Sequence, residues 1–335
     1  MHLGNDEPKV AVLIPYFQRR PGILEGTVRS VLAQQGFSHY QVIVVDDGSP
    51  VSAESELANI TENREKITVI KQANAGPGAA RNKALDHVPA DACYVAFLDS
   101  DDQLEPSYLA DAVFALNRGY DFFFGNSHRI GIEKSRFDWE AVSGITLDLA
   151  RHRLIDEARQ LYEFQGDFFD FVVFHSNIIG TSTMIYRAAA SVGVRFNEQI
   201  YIGEDRVFKL CLCKQIKKIS FSPKIHAHEG KGVNIFGSAG WGSERSLALL
   251  SSYIDMSKYI LGHIPMNERQ TTYVRQHLAR TRYTFTASIL HHARHGSKID
   301  WRVVGKTFAS DPATVLWFLP NVVRVAFNKA RAKSS

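Results

Sequence analysis

Two acidic clusters in this chain of 335 residues carry side chains able to do chemistry. Asp46-Asp47-Gly48-Ser49 follows the apolar run Gln41 to Val45, and Asp99-Ser100-Asp101-Asp102 follows the run Cys93 to Leu98. Aspartates after a strand are common turn residues, so either cluster alone reads as loop punctuation. The arrangement Asp99-x-Asp101-Asp102 is more informative, because it crowds anions that repel one another unless a cation or hydrogen-bond donors sit among them. Magnesium or manganese, held by one or two carboxylates and completed by phosphate oxygens, resolves such crowding and is the usual arrangement for a nucleotide substrate. Further on stand Glu204-Asp205 and the run His226-Ala227-His228-Glu229-Gly230. An aspartate in the first turn of a helix, expected here over Arg206 to Cys213, is favourable without any catalysis. A lone loop histidine is usually structural or solvated. The run His291-His292-Ala293-Arg294-His295 reads as an exposed helix end, since no carboxylate or cysteine accompanies it to make a metal site.

The elements that must position these groups alternate. Lys9 to Tyr16 is a nearly continuous β-branched apolar run, as expected of a strand buried on both faces of a parallel sheet. Leu24, Val28, Val31 and Leu32 then recur at helical spacing within Gly22 to Gln35, closed by Gly36. Strands follow at Gln41 to Val45, Ile67 to Lys71 and Cys93 to Leu98, with a helix over Gly76 to Val88 between the last two and Pro106 placed to start another. Asp121 to Gly125 and Thr183 to Tyr186 read as later strands, and the chain beyond about Gly242 reads as helical. This pattern predicts an α/β fold with a doubly wound, mostly parallel sheet and a helical C-terminal region. Such sheets bind ligands beyond the carboxyl ends of their strands, where both acidic clusters lie.

A chain that is 45% hydrophobic can fill a substantial core, and a net charge of +4 suits an anionic substrate or membrane surface without requiring either. No nucleic-acid partner is expected. Met1 to Lys9 lacks the basic start and apolar stretch of a secretory signal, and nowhere do about 20 apolar residues run uninterrupted, so a cytoplasmic protein is expected. Cys93, Cys211 and Cys213 are expected to be buried thiols in a reducing compartment. Trp317 to Lys333 mixes apolar residues with Arg324, Lys329, Arg331 and Lys333 and no acid, which reads either as a helix lying on an anionic membrane face or as a packed helix with a frayed basic end.

The ordered segments IPYFQR, VVDDGS, NAGPGAARNKAL, FLDSDD, GTSTMIYR, GEDRVF and HAHEG, over roughly residues 9 to 235, resemble the family 2 glycosyltransferases. The opening IPYFQRRPGILEGTVRSVLAQ also resembles the glucosyltransferases of succinoglycan-type exopolysaccharide assembly. The resemblance implies a GT-A fold, with a catalytic domain over 1–241 (donor half about 9–102, acceptor half about 103–241) and a helical region over 242–335. It implies an inverting hexosyltransferase that uses a UDP-sugar, UDP-glucose above all, and a growing exopolysaccharide or lipid-linked oligosaccharide. By the same resemblance Pro15 and Phe17 shape the base pocket, with Phe17 in place of the usual tyrosine, and Asp47 bonds the uracil. Arg81 is a donor-site arginine, Asp99 meets the ribose and joins the metal site, and Asp101 ligates Mn2+ or Mg2+, with Asp102 the competing ligand. His228, or else His226, is a third ligand, and Asp205 is the catalytic base. A non-catalytic nucleotide-sugar or glycan-binding scaffold is the alternative. A sugar-nucleotide pyrophosphorylase is disfavoured because Pro15 to Arg20 is not a Gly-rich phosphate loop.

Overall fold

The computed structural model of the chain describes residues 9–140, 144–230, 232 and 240–331, the side chains of 328–331 excepted. Its strands are β1 (Lys9–Tyr16), β2 (Tyr40–Asp47), β3 (Ile67–Gln72), β4 (Ala92–Phe97), β5 (Gln103–Leu104), β6 (Phe122–Arg129), β7 (Arg153–Asp156), β8 (Leu161–Glu163), β9 (Met184–Arg187) and β10 (Ile219–Glu229). Its α-helices are α1 (Leu24–Leu32), α2 (Ala53–Glu56), α3 (Pro77–Leu85), α4 (Tyr108–Leu116), α5 (Phe168–His175), α6 (Glu204–Leu212), α7 (Ser246–His263), α8 (Glu268–Arg294), α9 (Trp301–Ser310), α10 (Pro312–Leu316) and α11 (Phe318–Arg331). The chain divides into two compact units, Met1–Glu198 with Phe208–Val233, and Gln199–Val207 with Asn234–Ser335.

The first unit is built on a ten-stranded sheet in the order β3-β2-β1-β4-β9-β6-β10-β8-β7, with β5 beside β10. The strands β3, β2, β1 and β4 are mutually parallel, as are β6 and β10, whereas β9 runs antiparallel between the two groups. This is the mostly parallel sheet expected from the apolar runs. Val10, Val12 and Ile14 of β1 pack on one face with Val28 of α1, Val42 and Val44, and every residue from Val10 to Ile14 is buried. Residue Ile23 cannot cap α1 with its side chain, and the buried Glu56 of α2 takes the task, accepting the backbone N–H of Gly22 (2.8 Å), Ile23 (2.9 Å) and Leu24 (3.2 Å).

Within the second unit α7 and α8 pack through Leu247, Leu250, Ile254, Leu278, Phe285 and Ile289. Asn267 and Gln270 form a capping box at the start of α8. The buried Asp311 accepts two bonds from the Arg282 guanidinium, at 2.8 and 2.7 Å, and one from the Thr314 hydroxyl at 2.5 Å.

Two expectations are corrected here. Cys93 is exposed on β4, and Cys211 and Cys213 are half-buried, so the thiols are not all core residues. The histidine run does close α8, but His292 is fully buried and bonds the Ser246 hydroxyl at 3.1 Å, because the turn of the helix that carries it faces α7.

Candidate active site

The loops that follow β1 and β2 are laced together by short polar side chains. The Ser49 hydroxyl accepts the Gln18 N–H at 2.8 Å and donates to the Gln18 carbonyl at 2.9 Å, while Tyr16 donates to the Val51 carbonyl at 2.8 Å. Asp46 is part of this scaffold, since its two carboxylate oxygens accept the N–H groups of Ser49 and Ala53, both at 2.8 Å. Pro15 and Phe17 lie half-buried at the end of β1, and the Arg19 guanidinium stands 6.0 Å from the Phe17 ring. Asp47 is buried, and its carboxylate accepts Gln72 Nε2 and the Ala75 N–H at 2.8 Å and the Gly76 N–H at 2.9 Å. Three of its roughly four lone-pair positions are thereby used, so Asp47 fixes the start of α3 whatever else it contacts.

Helix α3 in turn carries Arg81. Gly76, at φ +94, lets the chain turn into the helix, and Pro77 at its first position needs no N–H partner. The buried Arg81 reaches Asp99 Oδ1 at 2.6 Å and lies 5.3 Å from the Phe196 ring, so two residues 18 apart in sequence meet at the carboxyl edge of the sheet. The turn Asp99–Asp102 is held from several sides. The Ser182 hydroxyl accepts the Asp99 N–H at 3.0 Å and donates to Asp102 Oδ2 at 2.5 Å. Thr27 of α1 donates to the Ser100 carbonyl at 2.9 Å, and Gln18 Nε2 donates to the Ser100 hydroxyl at 3.2 Å. Beyond β10, the Gly230 N–H donates to Asp102 Oδ1 at 2.9 Å and the Gly232 N–H to Asp101 Oδ2 at 2.7 Å.

Both glycines are required by space. A Cβ on Gly230 would stand 1.7 Å from the Asp101 carbonyl oxygen, and one on Gly232 would stand 2.6 Å from Asp101 Cβ and 2.7 Å from Gln18 Nε2. Sequence reasoning passed over Gly232 and Ser182 and gave Gln18, part of the opening motif, no role in the site. The available signal was a second glycine two residues after the end of HAHEG, and a hydroxyl inside GTSTMIYR.

These donors do not neutralise the cluster. Burial raises the Asp101 carboxyl above its ordinary range, with Asp99 adding to the effect and the Gly232 N–H opposing it. Burial, then Asp99 and Asp101, push Asp102 well above that range against the bonds from Ser182 and Gly230. Asp101 and Asp102, raised in proton affinity with Asp99 beside them, make this cluster a donor set for a hard divalent cation, and Asp99 and Asp101 fit magnesium or manganese. Among the described residues no histidine or cysteine is grouped with them as a third ligand. His228 lies opposite Gln103 of β5, and its Nε2 stands 2.5 Å from Glu105 Oε1. His226 is fully buried among the rings of Tyr108 and Phe123, with Nε2 3.3 Å from Asp111 Oδ2. Among the described residues no three His, Cys, Asp or Glu side chains are grouped so as to hold an ion.

Asp205 belongs to the second unit. Gly203 precedes α6 at φ +91, a conformation that favours glycine, and a Cβ there would come within 2.4 Å of Met256 Sδ of α7, so the methionine side chain would have to shift. Glu204 and Asp205 occupy the first turn of α6, which starts two residues earlier than expected. Glu204 is buried and Asp205 half-exposed. Burial and the charge of Asp205 raise the Tyr253 hydroxyl to about 12. Burial, with Arg206 and Arg280, lowers His277 to about 4.

Comparison with known proteins agrees with this architecture. The family described as "Glycosyl transferase family 2" matches residues 11–189. The succinoglycan biosynthesis protein ExoW of Rhizobium meliloti is 35% identical over 243 residues, 69% of this chain and 71% of that protein. The GalNAc(5)-diNAcBac-PP-undecaprenol beta-1,3-glucosyltransferase of Campylobacter jejuni is 29% identical over 199 residues, 59% of this chain and 57% of that one. Among solved structures, S. aureus TarS 1-349 in complex with UDP-GlcNAc superposes at a TM-score of 0.53 with 20% identity, over 85% of this chain and 72% of that one. The mannosyltransferase PcManGT of Pyrobaculum calidifontis, in complex with GDP-Man and Mn2+, also gives 0.53, with 12% identity over 96% of this chain and 86% of that one. The last two share the fold.

Proposed function

The chain belongs to glycosyl transferase family 2 and is a glycosyltransferase that uses a nucleotide sugar, and from that premise we propose that it moves a hexose, glucose in the first instance, from a UDP-sugar to an exopolysaccharide or lipid-linked oligosaccharide with inversion at the anomeric carbon. The observation that carries this reading is the set of carboxylates after β4, packed against Arg81 at the carboxyl edge of parallel strands and, at Asp101 and Asp102, holding protons more tightly than free carboxylates do. The name of the Campylobacter jejuni relative, a GalNAc(5)-diNAcBac-PP-undecaprenol beta-1,3-glucosyltransferase, supports a glucosyl donor and a glycan acceptor carried on a lipid, and that of the succinoglycan biosynthesis protein supports an exopolysaccharide product.

In this reading Pro15, Phe17 and Asp47 line the base end of the donor, and Arg81 orients Asp99 toward the ribose. A divalent cation, magnesium or manganese, bound by Asp99 and Asp101 would supply charge stabilisation for the departing diphosphate. Asp205, the more exposed acid of its pair, takes the proton of the acceptor hydroxyl as that oxygen bonds the anomeric carbon and the bond to the diphosphate breaks. The test is a panel of UDP-, GDP- and dTDP-sugars, read by donor hydrolysis and by thermal stabilisation, with and without Mn2+ or Mg2+. UDP-glucose should stabilise the protein and be hydrolysed only with the cation, and Asp101→Ala should abolish turnover. Full activity in excess EDTA would refute the metal role, and preference for a GDP- or dTDP-sugar would refute the donor.

A further inference from the structure

The last two helices leave an apolar stripe that nothing among the described residues of their own unit covers. Helix α11 has two faces. Phe318 and the buried Asn321 turn inward, with Phe318 against the Phe308 ring at 5.8 Å, and Val322 and Val325 are half-buried. On the other side Leu319, Val323 and Phe327 follow one another at spacings of four and are 73%, 54% and 70% exposed. The stripe continues backward through Trp317, in the turn between the two helices, to Leu316 at the end of α10, and these are 57% and 77% exposed. Scattered exposed apolar residues need no explanation, but a continuous row of this size marks a surface meant to be covered.

Charge selects the cover. From Gly296 to the end, the chain holds basic residues at 298, 302, 306, 324, 329, 331 and 333 and acids only at 300 and 311. Asp311 is buried against Arg282, which leaves Asp300, the cap at the start of α9, as the exposed acid of this stretch. Arg302, Lys306 and Arg324 are exposed. No helix among the described residues is long and apolar enough to cross a membrane, so a helix with one apolar stripe, a tryptophan and a basic flank would lie within the interface. We propose that the α10–α11 stripe of Leu316, Trp317, Leu319, Val323 and Phe327 docks the protein on an anionic phospholipid surface, the flanking arginines and lysines meeting the headgroups. A second copy of the chain would present the same excess of positive charge, which disfavours self-association through this face.

The test is co-sedimentation of the full chain with vesicles of phosphatidylcholine alone or of equal parts phosphatidylcholine and phosphatidylglycerol, beside analytical ultracentrifugation without lipid. The wild type should bind the anionic vesicles, and high salt should weaken binding. Replacing Leu319, Val323 and Phe327 together by Gln should weaken it on the order of 100-fold, and Arg324→Gln roughly fivefold. The exposed positions make unfolding of these variants unexpected, and unchanged donor hydrolysis in solution confirms the fold and separates this proposal from the catalytic one. The proposal is overturned by no binding of the wild type, by binding that survives the triple variant, or by a dimer that the triple variant converts to monomer without any vesicle binding.

Discussion

Substituting Gly230 by alanine tests whether the segment after β10 is what holds the acidic turn in shape. The added Cβ would sit 1.7 Å from the Asp101 carbonyl oxygen and 2.7 Å from its carbonyl carbon, against an ordinary contact of about 3.4 Å or more. Both partners are backbone, so no rotamer change relieves the clash, and one side of the contact must retreat by more than about 1 Å. That displacement breaks the 2.9 Å bond from the Gly230 N–H to Asp102, and a bond to a charged group is worth about 1.5–3 kcal/mol. The expected outcome is a loss of about that much stability. Because Asp101 moves with its carbonyl, kcat/KM should fall on the order of 100-fold, the usual effect of misplacing a site by about 1 Å. The assay is donor hydrolysis at saturating Mn2+, with chemical denaturation alongside and Gly262→Ala as control. An added Cβ on Gly262 would meet nothing within 4 Å, and the residue lies inside α7, so that change should stabilise by about 0.5–1 kcal/mol. A Gly230→Ala protein within threefold of wild-type activity and equal in stability would show that the turn needs no such clamp.

Asp205→Asn keeps the shape of the side chain and removes the proton acceptor; kcat should fall about 100- to 10,000-fold with melting temperature and UDP-sugar affinity nearly unchanged. A change of only a few-fold would leave the first-turn acid with a helix-stabilising role and pass the candidacy to Glu204. Asp102 has its proton affinity raised by burial and by Asp99 and Asp101, so its contribution to stability is full below the unfolded-state value, about 4, and is lost as pH rises through the higher folded-state value. Without divalent cation, Asp102→Asn should therefore gain stability relative to wild type as pH rises from about 4 toward neutrality, and an unchanging difference over that range contradicts the assignment. Arg282→Ala strips both guanidinium bonds from the buried Asp311 and leaves Lys258 3.9 Å away as partial relief; unfolding free energy should drop by about 3 kcal/mol, and a drop below about 1 kcal/mol would mean that Asp311 is protonated in the fold.

The strands were legible where burial on both faces forces an unbroken apolar run. Lys9–Tyr16 has the bounds its residues imply, and Tyr40–Asp47, Ile67–Gln72 and Ala92–Phe97 differ from expectation by one or two residues at their ends. Strand β10 was not legible, because the apolar and polar alternation of Ile219–Glu229, ISFSPKIHAHE, is interrupted by Pro223, where the pairing with β6 also shifts register. The Nε2 of its buried His226 meets Asp111 from α4, a partner 115 positions away that no local pattern can announce. The two-residue β5 and the short pair β7 and β8 carry too few residues for any periodicity to be counted.

The same limit decides what could be read of the site. Asp46-Asp47 and Asp101-Asp102 are the same dipeptide after the same kind of strand; the added Asp99 marks the second as the more crowded, but the sequence does not say which acids are already hydrogen-bonded. The donors around them do. Asp46 and Asp47 together accept the N–H groups of Ser49, Ala53, Ala75 and Gly76 and the amide of Gln72, so their charge is spent on fixing turns. Asp101 and Asp102 draw on the N–H groups of Gly232 and Gly230 and on the Ser182 hydroxyl, with Asp99 alongside, and both still hold their protons above the ordinary carboxylate range. An acid pair whose field is already balanced by backbone dipoles has little to gain from a cation. A pair left electrostatically short gains most from one, and this is why the second cluster, and not the first, is where a metal and a diphosphate would be drawn.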